Sequence, residues 1–80
     1  MNKIVECIPN FSVSRERDPE AFQALVDAAN SAPGCTLLDA QTDGNHNRCV
    51  FTMVGSPEAL EEAVVGLCRI AAERIDMRKH

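Results

Sequence analysis

Residues 39–48 read DAQTDGNHNR and lie between two short apolar runs, residues 35–38 (CTLL) and 49–54 (CVFTMV). Asp43-Gly44 and Asn45 are residue types that reverse a chain, because Gly and Asn tolerate positive φ. Two apolar runs joined in this way predict a β-hairpin with a connection longer than the tight two-residue kind. The connection is also more polar than a reversal requires. It carries the carboxylates of Asp39 and Asp43, several amides, the imidazole of His46 and the guanidinium of Arg48. A turn does not need His46-Asn47-Arg48 in succession, and that surplus marks the stretch as a candidate site.

On the C-terminal side, Cys49, Phe51 and Met53 alternate with Val50, Thr52 and Val54, so residues 48–54 predict a strand with one face on a core. Gly55 ends it. Ser56-Pro57-Glu58 opens a helix, with Ser56 as N-cap and Pro57 in the first turn. Its apolar stripe is Leu60, Ala63, Val64, Leu67, Cys68, Ala71 and Ile75, and Arg74, Arg78, Lys79 and His80 suit its C-terminal end.

On the N-terminal side, residues 35–39 form the other hairpin strand, preceded by the helix terminator Pro33-Gly34. That helix begins at Asp18-Pro19 and presents Phe22, Leu25, Val26 and Ala29 on one face. Residues 10–17 read as a polar connection holding Asn10, Ser12, Ser14, Arg15 and Arg17. Residues 3–8 (KIVECI) form a first strand, whose pairing is expected to stop at Pro9 for want of a backbone donor.

The order is β-α-β-β-α, an α+β chain. A right-handed crossover followed by a hairpin closes most naturally as a ferredoxin-like, mainly antiparallel sheet with two helices on one face. The third strand then lies between the first and the second, antiparallel to both. A fourth strand is expected to be missing, because the sequence stops after the second helix, leaving the first strand as an exposed edge. This topology brings Asn10, residues 39–48 and the end of the second helix to one end of the sheet. A helix over residues 57–77 spans roughly 30 Å against about 23 Å for the third strand, so Arg78, Lys79 and His80 are carried toward the hairpin loop. Each residue also has a plain structural reading: Asn10 as a turn residue, Asp39 as a strand end, Asp43-Gly44 as turn chemistry. Arg48 could equally pair with a neighbouring carboxylate, and residues 78–80 could be a solvated helix end.

Eighty residues, 45% hydrophobic and 25% charged, make one small globular domain. A net charge of −4 argues against generic nucleic-acid binding, and no apolar run approaches the roughly 20 residues of a membrane span. The opening MNKIVECIPNF has no apolar signal region. Cys7, Cys35, Cys49 and Cys68 are irregularly spaced without a CxxC pair, so they read as small buried hydrophobes in a reducing cytoplasm, with no metal site. His46-x-x-Cys49 is the one local pair with ligand-like spacing.

Residues 5–12, VECIPNFS, resemble the VECVPNFS opening of glutamate formimidoyltransferases. The likeness continues through Pro33-Gly34-Cys35, Leu37-Leu38-Asp39, the Asp43/His46-Asn47-Arg48 loop, residues 51–55 (FTMVG), Pro57-Glu58 and residues 75–80 (IDMRKH). The resemblance implies that residues 1–80 are a single, incomplete formiminotransferase N-terminal subdomain. It implies transfer of the formimino group of N-formimino-glutamate to tetrahydrofolate in histidine degradation, without a metal, in a homo-oligomeric enzyme. Asn10, Asp39, His46, Asn47 and Arg48 are the candidate substrate-binding residues. Val13-Ser14-Arg15 replaces the family's usual Glu-Gly-Arg. The family's helix continues into K-G-E-H-P-R-M-G, whose histidine is the expected acid/base, so His80 does not inherit that role and no catalytic residue is assigned. The alternative is a catalytically silent, stand-alone ferredoxin-like module for binding or for oligomerisation through the edge of the first strand.

Overall fold

A computed structural model describes residues 3–78, with side chains for residues 3–74. Its axis is strand β4, Arg48–Gly55, to which strands β1 (Val5–Cys7), β2 (Asn10–Phe11) and β3 (Cys35–Asp43) all pair antiparallel. Helix α1 (Pro19–Ser31) and helix α2 (Pro57–Arg78) complete an α+β architecture of a four-stranded antiparallel sheet and two helices. This is compatible with the expected ferredoxin-like arrangement. The four strands count β1 and β2 separately, although both lie along the same flank of β4, and the described residues hold no strand beyond them.

Strands β1 and β2 keep one register along β4, from Val5 opposite Gly55 to Phe11 opposite Cys49. Between them the Phe51 N–H donates to the Pro9 carbonyl at 3.0 Å. The expectation that pairing stops at Pro9 is therefore corrected. Proline removes its own donor but keeps its acceptor, so one ladder bond is lost and the edge strand runs on. Residues 10–11, expected in a polar connection, belong to that strand.

The hairpin is also tighter than expected. Strand β3 continues to Asp43, opposite Arg48, which leaves only residues 44–47 as the connection. Asp39, Gln41 and Asp43 are exposed, whereas Ala40 packs against the core. Polar residues on the outward positions of a half-covered strand resemble a loop in composition alone. The register shifts between Leu37 and Asp39, so Leu38 is a bulge residue, 58% exposed.

The core lies between one face of the sheet and the helices. The inward side chains of β4, Cys49, Phe51 and Met53, are fully buried with Phe22, Leu25 and Ala29 of α1 and Leu60, Ala63, Leu67 and Ala71 of α2. Phe51 is the hub: the Phe11 and Phe22 rings meet it edge-on at 6.0 and 5.9 Å. Asp18 caps α1 by accepting from the Ala21 N–H at 3.1 Å, and Ser56 caps α2 through the Ala59 N–H at 3.2 Å. Val26 and Val64 are half-buried at the margins of their stripes.

One cysteine departs from expectation. Cys49 is buried and Cys7 and Cys35 half-buried, but Cys68 is exposed. It lies one residue past Leu67, about 100° around the helix, and so off the centre of the stripe. Where β4 ends, Gly55 is required by close packing: a Cβ there would lie 2.5 Å from the Gly34 carbonyl oxygen. The expected positions of Lys79 and His80 lie outside the described residues.

Candidate functional site

Alternation along β4 sends Val50, Thr52 and Val54 to the sheet face opposite the core, and all three are only partly buried. Asn10 sits opposite Val50, and on the other flank of β4 Gln41 sits opposite the same residue. Asn10 is therefore at the hairpin end of the sheet, with Arg48 two residues along β4 from its partner. Asp39 enters from within β3, opposite Thr52, rather than from the loop. The open face also carries Ile8 and Leu38, which are 51% and 58% exposed.

The polar groups on this face differ in what they already hold. Asn10, an exposed residue, donates from Nδ2 to the Ile8 carbonyl at 2.9 Å, a local bond. The Gln41 amide donates to the Asp39 carboxylate at 2.7 Å. Asp43 is committed to the loop: its Oδ1 accepts from the Asn45 and His46 N–H groups, and its Oδ2 lies 2.7 Å from His46 Nδ1. The His46 bond, followed by the two backbone donors, holds the Asp43 carboxyl below the ordinary carboxylate range. Arg48 faces Asp43 in the register, yet that carboxylate is turned to His46. Among the described residues the Arg48 guanidinium makes no hydrogen bond or ion pair. An exposed cation with no internal partner, on a face bearing amides and some apolar area, is suited to an anionic ligand.

Asn47 is placed differently. It has φ 50, the left-handed region that Asn tolerates better than most residues. Its amide is used at both ends: Oδ1 accepts from the Ser14 hydroxyl at 3.0 Å and Nδ2 donates to the Ser12 carbonyl at 3.3 Å. Around it, residues 12–17 grip the hairpin at several further points. Arg17 donates from Nε to the Gly44 carbonyl at 2.7 Å and from an Nη to the Asn45 carbonyl at 3.2 Å. The Thr42 hydroxyl donates to Glu16 at 2.7 Å, which holds the Glu16 carboxyl low.

Sequence reading noted Ser12, Ser14 and Arg17 as polar but gave them no role. Ser14 is fully buried, and its companion Val13 is too. The available signal was a serine beside an apolar residue in a connection otherwise rich in charge. A shallow cavity of about 290 Å³ lies elsewhere, between α1 and α2, lined mostly by Ala and Gly. Among the described residues no cluster of His, Cys, Asp and Glu could hold a metal ion, and no helix is long and apolar enough to cross a membrane.

Comparison with known proteins gives a consistent set of relatives. The whole chain is 50% identical to a glutamate formimidoyltransferase of Streptococcus pyogenes serotype M1, of which it spans 26%. It is 46% identical, again over its whole length, to the formimidoyltransferase-cyclodeaminase of Gallus gallus, spanning 14% of that protein. A glutamate formimidoyltransferase of Thermoplasma acidophilum is 44% identical over 78 residues, 96% of this chain and 25% of the relative. The chain thus spans about a quarter or less of the curated relatives it matches. The model of the formiminotransferase domain, N-terminal subdomain, matches residues 4–80. From the VECIPNFS opening to the end of the second helix, the chain belongs to the family of formiminotransferase N-terminal subdomains.

Proposed function

We propose that this chain is the amino-terminal part of a glutamate formimidoyltransferase, and that the open face of its sheet forms one wall of the site. Within that site the formimino group of N-formimino-glutamate passes to tetrahydrofolate. The single observation that carries this reading beyond family membership is the guanidinium of Arg48 on that face, which has no hydrogen-bond or ion-pair partner among the described residues. N-formimino-glutamate carries two carboxylates, and a guanidinium binds a carboxylate through two parallel hydrogen bonds. Asn10, Asp39 with its partner Gln41, and His46 are the remaining contacts assigned to substrate. Asn47 contributes through the position of the loop.

The open face suits the folate co-substrate in one respect: the exposed side chains of Ile8 and Leu38 offer apolar area for a flat ring beside polar groups. Tetrahydrofolate would supply the attacking nitrogen. In the transfer a bond forms between that nitrogen and the formimino carbon, the bond from this carbon to the glutamate nitrogen breaks, the attacking nitrogen loses its proton and the glutamate nitrogen gains one. A positioned acid/base must move those protons. No residue of this chain is assigned that task, and its own part is to bind and orient.

The ferredoxin-like topology, a cytoplasmic setting, a role in histidine degradation and a homo-oligomer joined at the β1–β2 edge belong to the same proposal. The exposed edge also favours the second reading, a catalytically silent module for binding or assembly. A chimera separates the two. Residues 4–80 replace the matched quarter of the S. pyogenes relative, and formimino transfer is assayed. Retained transfer, with Arg48→Met raising KM for N-formimino-glutamate, supports the enzyme reading. A folded chimera that binds tetrahydrofolate but transfers nothing overturns it.

A further inference from the structure

We propose that Ser14, Arg17 and Asn47 are positioning residues, a clasp that locks the hairpin tip to the start of α1 and so fixes where Arg48 meets its anionic ligand. The ligand half of this inference rests on the reading of Arg48 given above. The clasp half rests on geometry alone.

The connection runs from helix to tip without a gap. The Asp18 N–H donates to the Ser14 carbonyl at 2.9 Å, and the Arg17 N–H donates to the Ser14 hydroxyl at 3.2 Å. That hydroxyl donates in turn to Asn47 Oδ1. Ser14 is fully buried, so its one donor and its acceptor are both satisfied within the protein. Asn47 is the residue immediately before Arg48, and its φ of 50 sets the direction in which the chain enters β4. Arg17 adds a fork on two successive carbonyls of the tip, Gly44 and Asn45. Contact is close enough that a Cβ on Gly44 would lie 2.9 Å from Glu16 Cβ.

A four-residue turn needs none of this to reverse a chain. Bonds from residues more than twenty positions away constrain a tip that would otherwise be exposed and mobile. A cation that must meet a carboxylate in a two-pronged geometry gains from such restraint, because less freedom is lost on binding.

The test uses the ¹⁵N-labelled 80-residue chain for order parameters and the S. pyogenes chimera described above for binding of N-formimino-L-glutamate as probe, each with the variants Asn47→Gly and Ser14→Ala, and with Gln23→Ala as control. Glycine adopts φ 50 without strain, so Asn47→Gly removes the side-chain bonds while leaving the backbone its conformation. Amide order parameters at Asn45 and His46 are expected near ~0.85 in the wild type and below ~0.6 in Asn47→Gly and Ser14→Ala. The probe's Kd is expected to rise about tenfold in both. Gln23→Ala should match the wild type in both readouts.

An Asn47→Gly chain with wild-type order and wild-type Kd overturns the clasp, because conformation alone then accounts for Asn47. A Ser14→Ala chain that fails to fold leaves Asn47→Gly to decide. If the wild type binds no probe, the substrate reading of Arg48 fails and the ligand half of the proposal falls with it. The order parameters then judge the clasp separately.

Discussion

The fully buried hydroxyl of Ser14 donates to the side-chain oxygen of half-buried Asn47 across 33 positions of sequence, at 3.0 Å. The bond joins the segment that feeds the first helix to the residue that launches the central strand. Local structure at the hairpin tip is therefore a tertiary property, and pH should reveal it.

Asp43 and Glu16 both hold the tip through their ionised forms, Asp43 toward His46 and two backbone donors, Glu16 toward Thr42. Both carboxyls are held below the ordinary values of about 3.9 and 4.3. A carboxylate whose pKa is depressed by folding adds stability above its ordinary pKa, and loses it as pH falls through the folded value. The tip should thus be fully held above about pH 5 and loosen in the acid range below it. An NMR titration should give an inflection for Asp43 below about 3.9 and one for Glu16 below about 4.3. Inflections at ordinary values would contradict both bonds.

Gly55 should be the least replaceable glycine. A methyl group there would meet the Gly34 carbonyl oxygen at 2.5 Å and Cys35 Cα at 3.2 Å, backbone atoms of the paired strand and the turn before it. Because backbone cannot step aside as a flexible side chain can, Gly55→Ala should destabilise the chain by about 2 kcal/mol or more. Gly66, with nothing within 4 Å of a Cβ, is the control, and Gly66→Ala should be neutral or stabilising in its helix. Urea unfolding of both variants checks the contrast.

Phe51 carries the core. Both other phenylalanine rings meet it edge-on, and it is fully buried on the central strand. Phe51→Leu should cost roughly 1–2 kcal/mol, and Phe51→Ala about 3–5 kcal/mol, by lost transfer and the cavity left behind. In so small a domain the second value is close to the whole stability. Equilibrium denaturation of Phe51→Leu is the practical measurement, with Phe51→Ala expected to be largely unfolded.

How far the sequence discloses this molecule depends on the range of the interaction. The helices were legible because Asp18-Pro19 and Ser56-Pro57 are local signals, and the alternation of Cys49, Phe51 and Met53 announced the buried face of β4. The end of β3 was not, because Asp39, Gln41 and Asp43 are polar on a strand whose outer face is simply uncovered. Pro9 misled for a related reason: its effect depends on which of its backbone groups faces the neighbour. Asn10 and Arg48 fell at the same end of the sheet because register follows from topology. The roles of Ser14 and Asn47 were illegible, since burial of a serine by a partner 33 positions away leaves no periodic trace.

The 80-residue chain by itself should turn over no N-formimino-glutamate. His46 is its one described histidine, and that ring is 69% exposed with Nδ1 engaged by Asp43, in no enclosure that would exclude water. A coupled assay for folate product, with His46→Ala as background, measures this. Turnover above that background would place the acid/base within this chain.

The edge formed by β1 and β2 should mediate self-association. Among the described residues both strands pair with β4 alone, and Ile4 and Ile8 are 68% and 51% exposed along that edge. An edge with free backbone groups and apolar side chains is a template for strand addition unless a charge blunts it. Val5 and Cys7 pack against the core, so changing them would confound association with folding. Ile4 and Ile8 are the cleaner probes, because a lysine at either position places a solvated cation on the edge without emptying the core. Sedimentation of the wild type should show a concentration-dependent larger species. Ile4→Lys and Ile8→Lys should each weaken it by tenfold or more, about 1.4 kcal/mol, while Glu61→Lys on the exposed side of α2 should leave it unchanged. A wild type that stays monomeric at millimolar concentration with this edge ordered and open to solvent would refute the role.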